Sequence, residues 1–117
     1  MKESDFRSGD LVWVDFDPAF GHAQSGRRPA LVMSAFDYNK RSSSIMVCPI
    51  TSRVNSWPFR IELPASGKVA GWVLFDQIKS IDKRRVKSGV LGHVPAKMFE
   101  EVLTAINSIV AFDSLSD

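Results

Sequence analysis

The chain has 117 residues, 44% of them apolar, which suffices for one modest core and leaves no room for a second independent domain. Its 15 Lys and Arg against 13 Asp and Glu leave a net charge of +2, so it is no histone-like polycation and any nucleic-acid contact must come from locally clustered charge. The single cysteine, Cys48, excludes an internal disulfide and a cysteine-cluster metal site, and fits a reducing, cytoplasmic compartment.

The opening stretch MKESDFRSGD is polar and carries charges of both signs, so no signal peptide is expected there. No uninterrupted apolar run reaches the ~20 residues that a membrane helix needs. From Gly9 the pattern is that of a strand, with Leu11, Trp13 and Asp15 on one face and Val12, Val14 and Phe16 on the other, stopped by Asp17 and Pro18. Ala19 to Arg28 contains Gly21, Gly26 and small polar residues and reads as a long loop. Pro29 is expected to open the next strand, Ala30 to Ser34, at the position where a missing N–H is tolerated.

Ala35 to Arg41 reads as a short helical turn or loop that packs Phe36 and Tyr38 inward. A third strand is expected over Ser43 to Thr51, a loop over Ser52 to Trp57, and a half-exposed strand through Phe59 to Leu63. Pro64 to Gly71 supplies turn residues. Trp72 to Ile78 reads as a further hydrophobic strand carrying Asp76 and Gln77 near its end, and Trp13 and Trp72 are expected to be buried. After a basic patch at Lys79, Lys83, Arg84, Arg85 and Lys87, a short strand is expected around Val90 to Val94. Pro95 suits the first position of a helix. Phe99, Val102, Leu103, Ile106, Ile109 and Val110 then make one apolar helical stripe, in a helix expected to end near Phe112. Short strands at regular intervals with one terminal helix predict a mainly β fold, a small bent antiparallel sheet or barrel partly covered by that helix.

The string GDLVWVDFDPAFGHAQSGRRPALVMS, from Gly9 to Ser34, resembles the amino-terminal signature of the MazF/PemK/Kid toxin family. PITS at Pro49 to Ser52, the pair Pro58 and Phe59, and DQIKSIDKRR at Asp76 to Arg85 are similar to that family's later motifs, in the same order. The resemblance runs over nearly the whole chain. It implies an SH3-like barrel with a carboxy-terminal helix, a homodimer, and an mRNA interferase that cleaves single-stranded RNA at short sequences to leave a 2′,3′-cyclic phosphate and a 5′-hydroxyl. It also implies a cognate MazE-type antitoxin whose acidic, otherwise disordered tail covers the dimer. A structurally related CcdB-like branch shares the barrel and poisons DNA gyrase instead, and a non-catalytic RNA-binding barrel is the third reading, since fold alone does not decide function.

Cleavage of RNA without a metal needs a proton acceptor for the 2′-hydroxyl, charge stabilisation for a dianionic phosphorane and a donor for the leaving 5′-oxygen. His22 and His93 are far apart and no carboxylates accompany them at metal-ligand spacing, so neither a metal nor another cofactor is expected. Arg28 in GRRPA matches the family's catalytic arginine, with a permanently charged fork suited to phosphate oxygens. Thr51 in PITS matches its catalytic hydroxyl, although a threonine ending a strand is also simply a good β-former. His22 and Asp76 match positions where the Kid-like branch is proposed to hold an acid and base pair. The family often has glutamate where this chain has Ala23, and the Kid-like branch has a second arginine where this chain has Leu74, so Arg28 and Thr51 carry more weight. Asp76 is equally readable as a strand-end carboxylate paired with Lys79. RNA contacts are expected from Gln24 in the loop, from Arg27, Ser52, Arg53 and Lys79 through the backbone, and from Trp57 and Phe59 through stacking, the aromatic pair being open also to a core role.

Overall fold

A computed structural model of the chain describes residues 5–17, 26–53, 56–64 and 67–114. The elements in order are β1 (Asp10–Asp15), β2 (Arg27–Val32), α1 (Phe36–Arg41), β3 (Ser44–Thr51), β4 (Arg60–Glu62), β5 (Trp72–Leu74), β6 (Lys79–Asp82), β7 (Gly92–His93) and α2 (Ala96–Ile109). Single 3-10 turns occupy Phe75–Gln77 and Lys83–Arg85. The strands form one antiparallel sheet in the order β4-β5-β3-β2-β1-β7, with β6 branching onto β3. It curls into a half-barrel with the carboxy-terminal helix against one face, the architecture that the sequence pattern implied.

β3 organises the sheet. One of its edges pairs with β2, while the other is divided between β6, which takes Ser44 to Val47, and β5, which takes Ile50 and Thr51. Pro49 falls in the gap between β6 and β5. Met33 N–H donates to the Met46 carbonyl at 2.8 Å, so the Met46 backbone faces β2. Alternation then turns the Pro49 nitrogen to the gap, where the ladder loses no bond.

The alternation of side chains gives two cores. Leu11, Leu31, Cys48, Ile50 and Val73 point to one face, where Met98, Val102 and Ile106 of α2 cover them. Each of these helix residues is buried, which favours docking by about 1.5–3 kcal/mol apiece. Val12, Val14, Phe16, Ala30, Val32, Ile45, Val47 and Ile81 converge on the other face as the barrel interior.

Several local expectations are corrected. Arg27, Arg28 and Pro29 belong to β2, with Pro29 paired to Trp13. The Trp13 backbone is turned to the other side, donating to Ser88 Oγ at 2.9 Å and accepting from Lys87 N–H at 2.8 Å. The Pro29 nitrogen therefore faces the β3 side, where the β2–β3 ladder has already stopped at Ala30. Trp13 itself is 40% exposed and Trp72 half-buried, where both were expected to be buried.

In α1 it is Asn39, not Tyr38, that packs inward: Tyr38 is exposed, and Phe36 is half-buried under the Arg7 guanidinium. Asn39 is fully buried and donates to the carbonyls of Phe6 at 2.8 Å and Ser34 at 2.9 Å, while its Oδ1 accepts from Ser34 Oγ at 2.5 Å. The segment expected as one strand from Trp72 to Ile78 stops at Leu74, turns through Phe75–Gln77, and resumes as β6 inside the basic patch. Helix α2 starts at Ala96, with Pro95 capping it, and ends at Ile109. Ile109, Val110 and Phe112 are 43%, 70% and 96% exposed, since no sheet lies under them to reward a longer helix.

Candidate RNA-cleavage site

Arg28 and Thr51 lie on adjacent strands, β2 and β3. β2 and β3 pair last at Ala30 and Pro49, and Arg28 and Thr51 each lie two residues beyond that pair on their strands. Both residues keep the parity of the barrel-interior side chains, since Val14 opposes Arg28 and Thr51 follows Val47 and Pro49 along β3.

Arg28 is half-buried and Thr51 is 2% exposed. The Thr51 hydroxyl accepts from the Arg53 N–H at 3.2 Å, a local side-chain to backbone bond at the end of β3. Behind it the Gly71 backbone comes so close that an added Cβ would lie 2.4 Å from the Thr51 carbonyl oxygen, at a φ of +130°. Only glycine fits there. The sequence marked Gly71 as a turn residue, not as the seat of Thr51.

Arg27 is exposed and pairs in register with Asp15, on the face opposite Arg28. Ser52 and Arg53 are exposed just past Thr51. His22 and Gln24 lie outside the described residues. The two ends of the intervening segment are tied together: Gly26 N–H donates to Asp17 Oδ1 at 2.8 Å, and Phe16 N–H to the Gly26 carbonyl at 3.0 Å. Arg85 Nη1 donates to the carbonyls of Asp15, at 3.2 Å, and Asp17.

Asp76 is held by an aromatic neighbour. Its Oδ1 accepts from Trp57 Nε1 at 3.1 Å, so the partner expected for it, Lys79, is replaced by an indole. Lys79 instead rests with its ammonium 5.5 Å from the Phe16 ring centroid. Trp57, Phe59 and Phe75 form an edge-to-face chain with centroids 5.9 and 6.2 Å apart. Phe75 belongs to the helix-side core, so Phe59, 38% exposed, is an anchored aromatic with an open side. Asp76 also lies near Cys48. Burial, and then the Asp76 charge, push that thiol up to about 12 from an ordinary 9.0, which makes Cys48 inert as a nucleophile near neutrality. Among the described residues no three His, Cys, Asp or Glu side chains group to hold a metal ion, and no helix is long and apolar enough to cross a membrane.

A family model of PemK-like, MazF-like toxins of type II toxin–antitoxin systems matches residues 7–110. The chain belongs to this family. It is 36% identical over 102 residues to the endoribonuclease toxin MazF of Escherichia coli strain K12, covering 87% of this chain and 91% of that one. The crystal structure of MazF from Deinococcus radiodurans superposes with a TM-score of 0.85 at 40% identity, over 92% of this chain and 98% of that chain. A MazE–MazF crystal structure from the same organism gives 0.79 at 35% identity, over 95% and 100% of the two chains. The resemblance read from the four sequence motifs is thus the family to which the chain belongs.

Proposed function

We propose that this toxin is an endoribonuclease that cuts single-stranded RNA at short sequences without a metal, by attack of a ribose 2′-hydroxyl on the adjacent phosphodiester. The observation that carries the reading is that Arg28 and Thr51 lie on adjacent strands with the same inward parity, each two residues beyond the last β2–β3 pair. It is supported by the family and by relatives named as endoribonucleases. In the reaction a bond forms between the 2′-oxygen and phosphorus while the bond to the 5′-oxygen breaks. The 2′ proton passes to a base and a proton reaches the departing 5′-oxygen, leaving a 2′,3′-cyclic phosphate and a 5′-hydroxyl.

Arg28 meets the charge that grows on the phosphorane oxygens, and in a site of low dielectric its fork is worth far more than in water. Thr51 fixes the phosphate for in-line displacement. His22 and Asp76 are the titratable candidates for proton transfer, with Asp76 oriented by Trp57. Arg27, Ser52, Arg53, Phe59 and Gln24 are proposed to hold the strand on either side.

Incubation of purified toxin with a single-stranded transcript tests the proposal. Cutting that survives EDTA, gives 5′ ends phosphorylated directly by polynucleotide kinase, and stops when the nucleotide before the cut is 2′-deoxy is the expected result. Cutting of the deoxy substrate, or a requirement for added Mg²⁺, overturns it. The active species is proposed to be a homodimer restrained by a MazE-type antitoxin, as the solved MazE–MazF relative suggests. Light scattering of the toxin alone and with the antitoxin checks both.

A further inference from the structure

At the Phe16 end of the barrel interior lies a cavity of about 220 Å³ lined by Phe16, Lys79, Ser80, Ile81, Asp82 and Arg85. Its charge is one-sided. Asp82, the acid among these residues, is taken up by Arg84, whose N–H and Nε reach Oδ1 at 2.8 and 3.0 Å while Nη2 reaches Oδ2 at 2.9 Å. Those bonds, the side-chain one foremost, hold the Asp82 carboxyl down at about 2, so it stays ionised and occupied. Lys79 has no carboxylate partner among the described residues, its ammonium lying over the Phe16 ring. Arg85 is fixed by the backbone carbonyls of Asp15 and Asp17, which orient a guanidinium without neutralising it.

Two cations and the Ser80 hydroxyl around a space this small suit a phosphate group better than a peptide side chain with its backbone. The position fits the same ligand. Phe16 is the next inward residue after Val14 on β1, and Val14 opposes Arg28, so the Phe16 wall of the cavity lies one inward position, about 7 Å along β1, from the Val14–Arg28 pair. That is the order of separation of neighbouring phosphates in an extended RNA strand. Resting on the endoribonuclease reading above, we propose that this cavity holds a phosphate adjoining the one that is cut, with Lys79 as its main ligand and Arg85 as its second.

The test uses an RNA spanning a mapped cut site, made uncleavable by a 2′-deoxy nucleotide, and a set in which single phosphates are replaced by neutral methylphosphonates. Lys79→Gln is expected to weaken binding about tenfold and to reduce the slope of log affinity against log salt by about 0.7, one phosphate's worth for a single strand. One methylphosphonate beside the cut should weaken the wild type about tenfold and leave Lys79→Gln unaffected. Lys79→Arg should restore both slope and position dependence, which separates charge from folding. Lys97→Gln on α2 controls for net charge. Equal behaviour of the Lys79 and Lys97 variants, in a toxin that still cleaves, overturns the cavity assignment alone. Failure of the wild type to bind or cut RNA overturns the endoribonuclease reading with it. Unchanged RNA binding with weakened binding of an acidic peptide would assign the cavity to a protein partner and overturn the proposal.

Discussion

If Arg28 and Thr51 grip one phosphate, their removal must be non-additive. Arg28→Met keeps the length and apolar stem of a half-buried strand residue, so the fold should change by less than about 1 kcal/mol while one charged donor is lost. Loss of a single such donor costs about a thousandfold in rate. Thr51→Val is nearly isosteric, removes one hydrogen bond to an anion, and should cost about thirtyfold, with about 1 kcal/mol of stability lost because the Arg53 N–H loses its acceptor. Independent sites would give the double variant the product, about thirty-thousandfold. A shared phosphate gives at least about tenfold less than that product, since neither group holds it well without the other. Single-turnover cleavage of a short fluorescent RNA, with urea melts to verify folding, measures the cycle. Additivity within about twofold, or an Arg28→Met toxin retaining a tenth of wild-type activity, refutes a phosphate shared by the two residues.

Cys48 gives a pH signature. Its thiol sits at about 12 when folded against 9.0 ordinarily, so its contribution is intact below pH 9 and erodes as pH rises toward 12. Relative to Cys48→Ala, the wild type should lose roughly 3 kcal/mol between pH 8 and 11 in chemical denaturation, and a constant difference would contradict the burial. Asn39→Ala strands the Phe6 and Ser34 carbonyls and the Ser34 hydroxyl, so a loss of about 3 kcal/mol is expected in urea melts, with a change under 1 kcal/mol counting against that network. Gly71→Ala forces a Cβ into the Thr51 carbonyl; it should lower both Tm and activity, whereas Gly26→Ala, with open space around it, should pay only its backbone strain at a φ of +75°. A Gly71→Ala toxin with unchanged Tm would show that the close approach is not tight.

Period-two alternation in β1 and β3 and the 3.6-residue stripe of α2 were legible because burial on one face imposes them. β6 was not. In Lys79–Asp82 only Ile81 is buried, so the segment has the composition of a solvated charge run, and its pairing to Ser44–Val47 depends on where β3 sends its divided edge. The strand end at Leu74 was hidden by Phe75, whose apolar side chain continues the run although its backbone has turned away from the ladder. Arg28 and Thr51 were singled out through family motifs. Local pattern treats the first as a loop arginine and the second as a strand terminus, and only the adjacency of two strands distant in sequence sets them on one face. The Trp57 to Asp76 bond likewise joins residues 19 apart, a distance over which residue type alone carries no signal.

The outermost strands on the path through the sheet are β4, with three residues, and β7, with two. Such stubs offer too few free amides and carbonyls to template another copy, so the fold guards itself against edge-to-edge stacking into fibrils. At these two ends copies that associate meet through side-chain surfaces, and changing those surfaces can tune assembly without unzipping the sheet that carries Arg28 and Thr51.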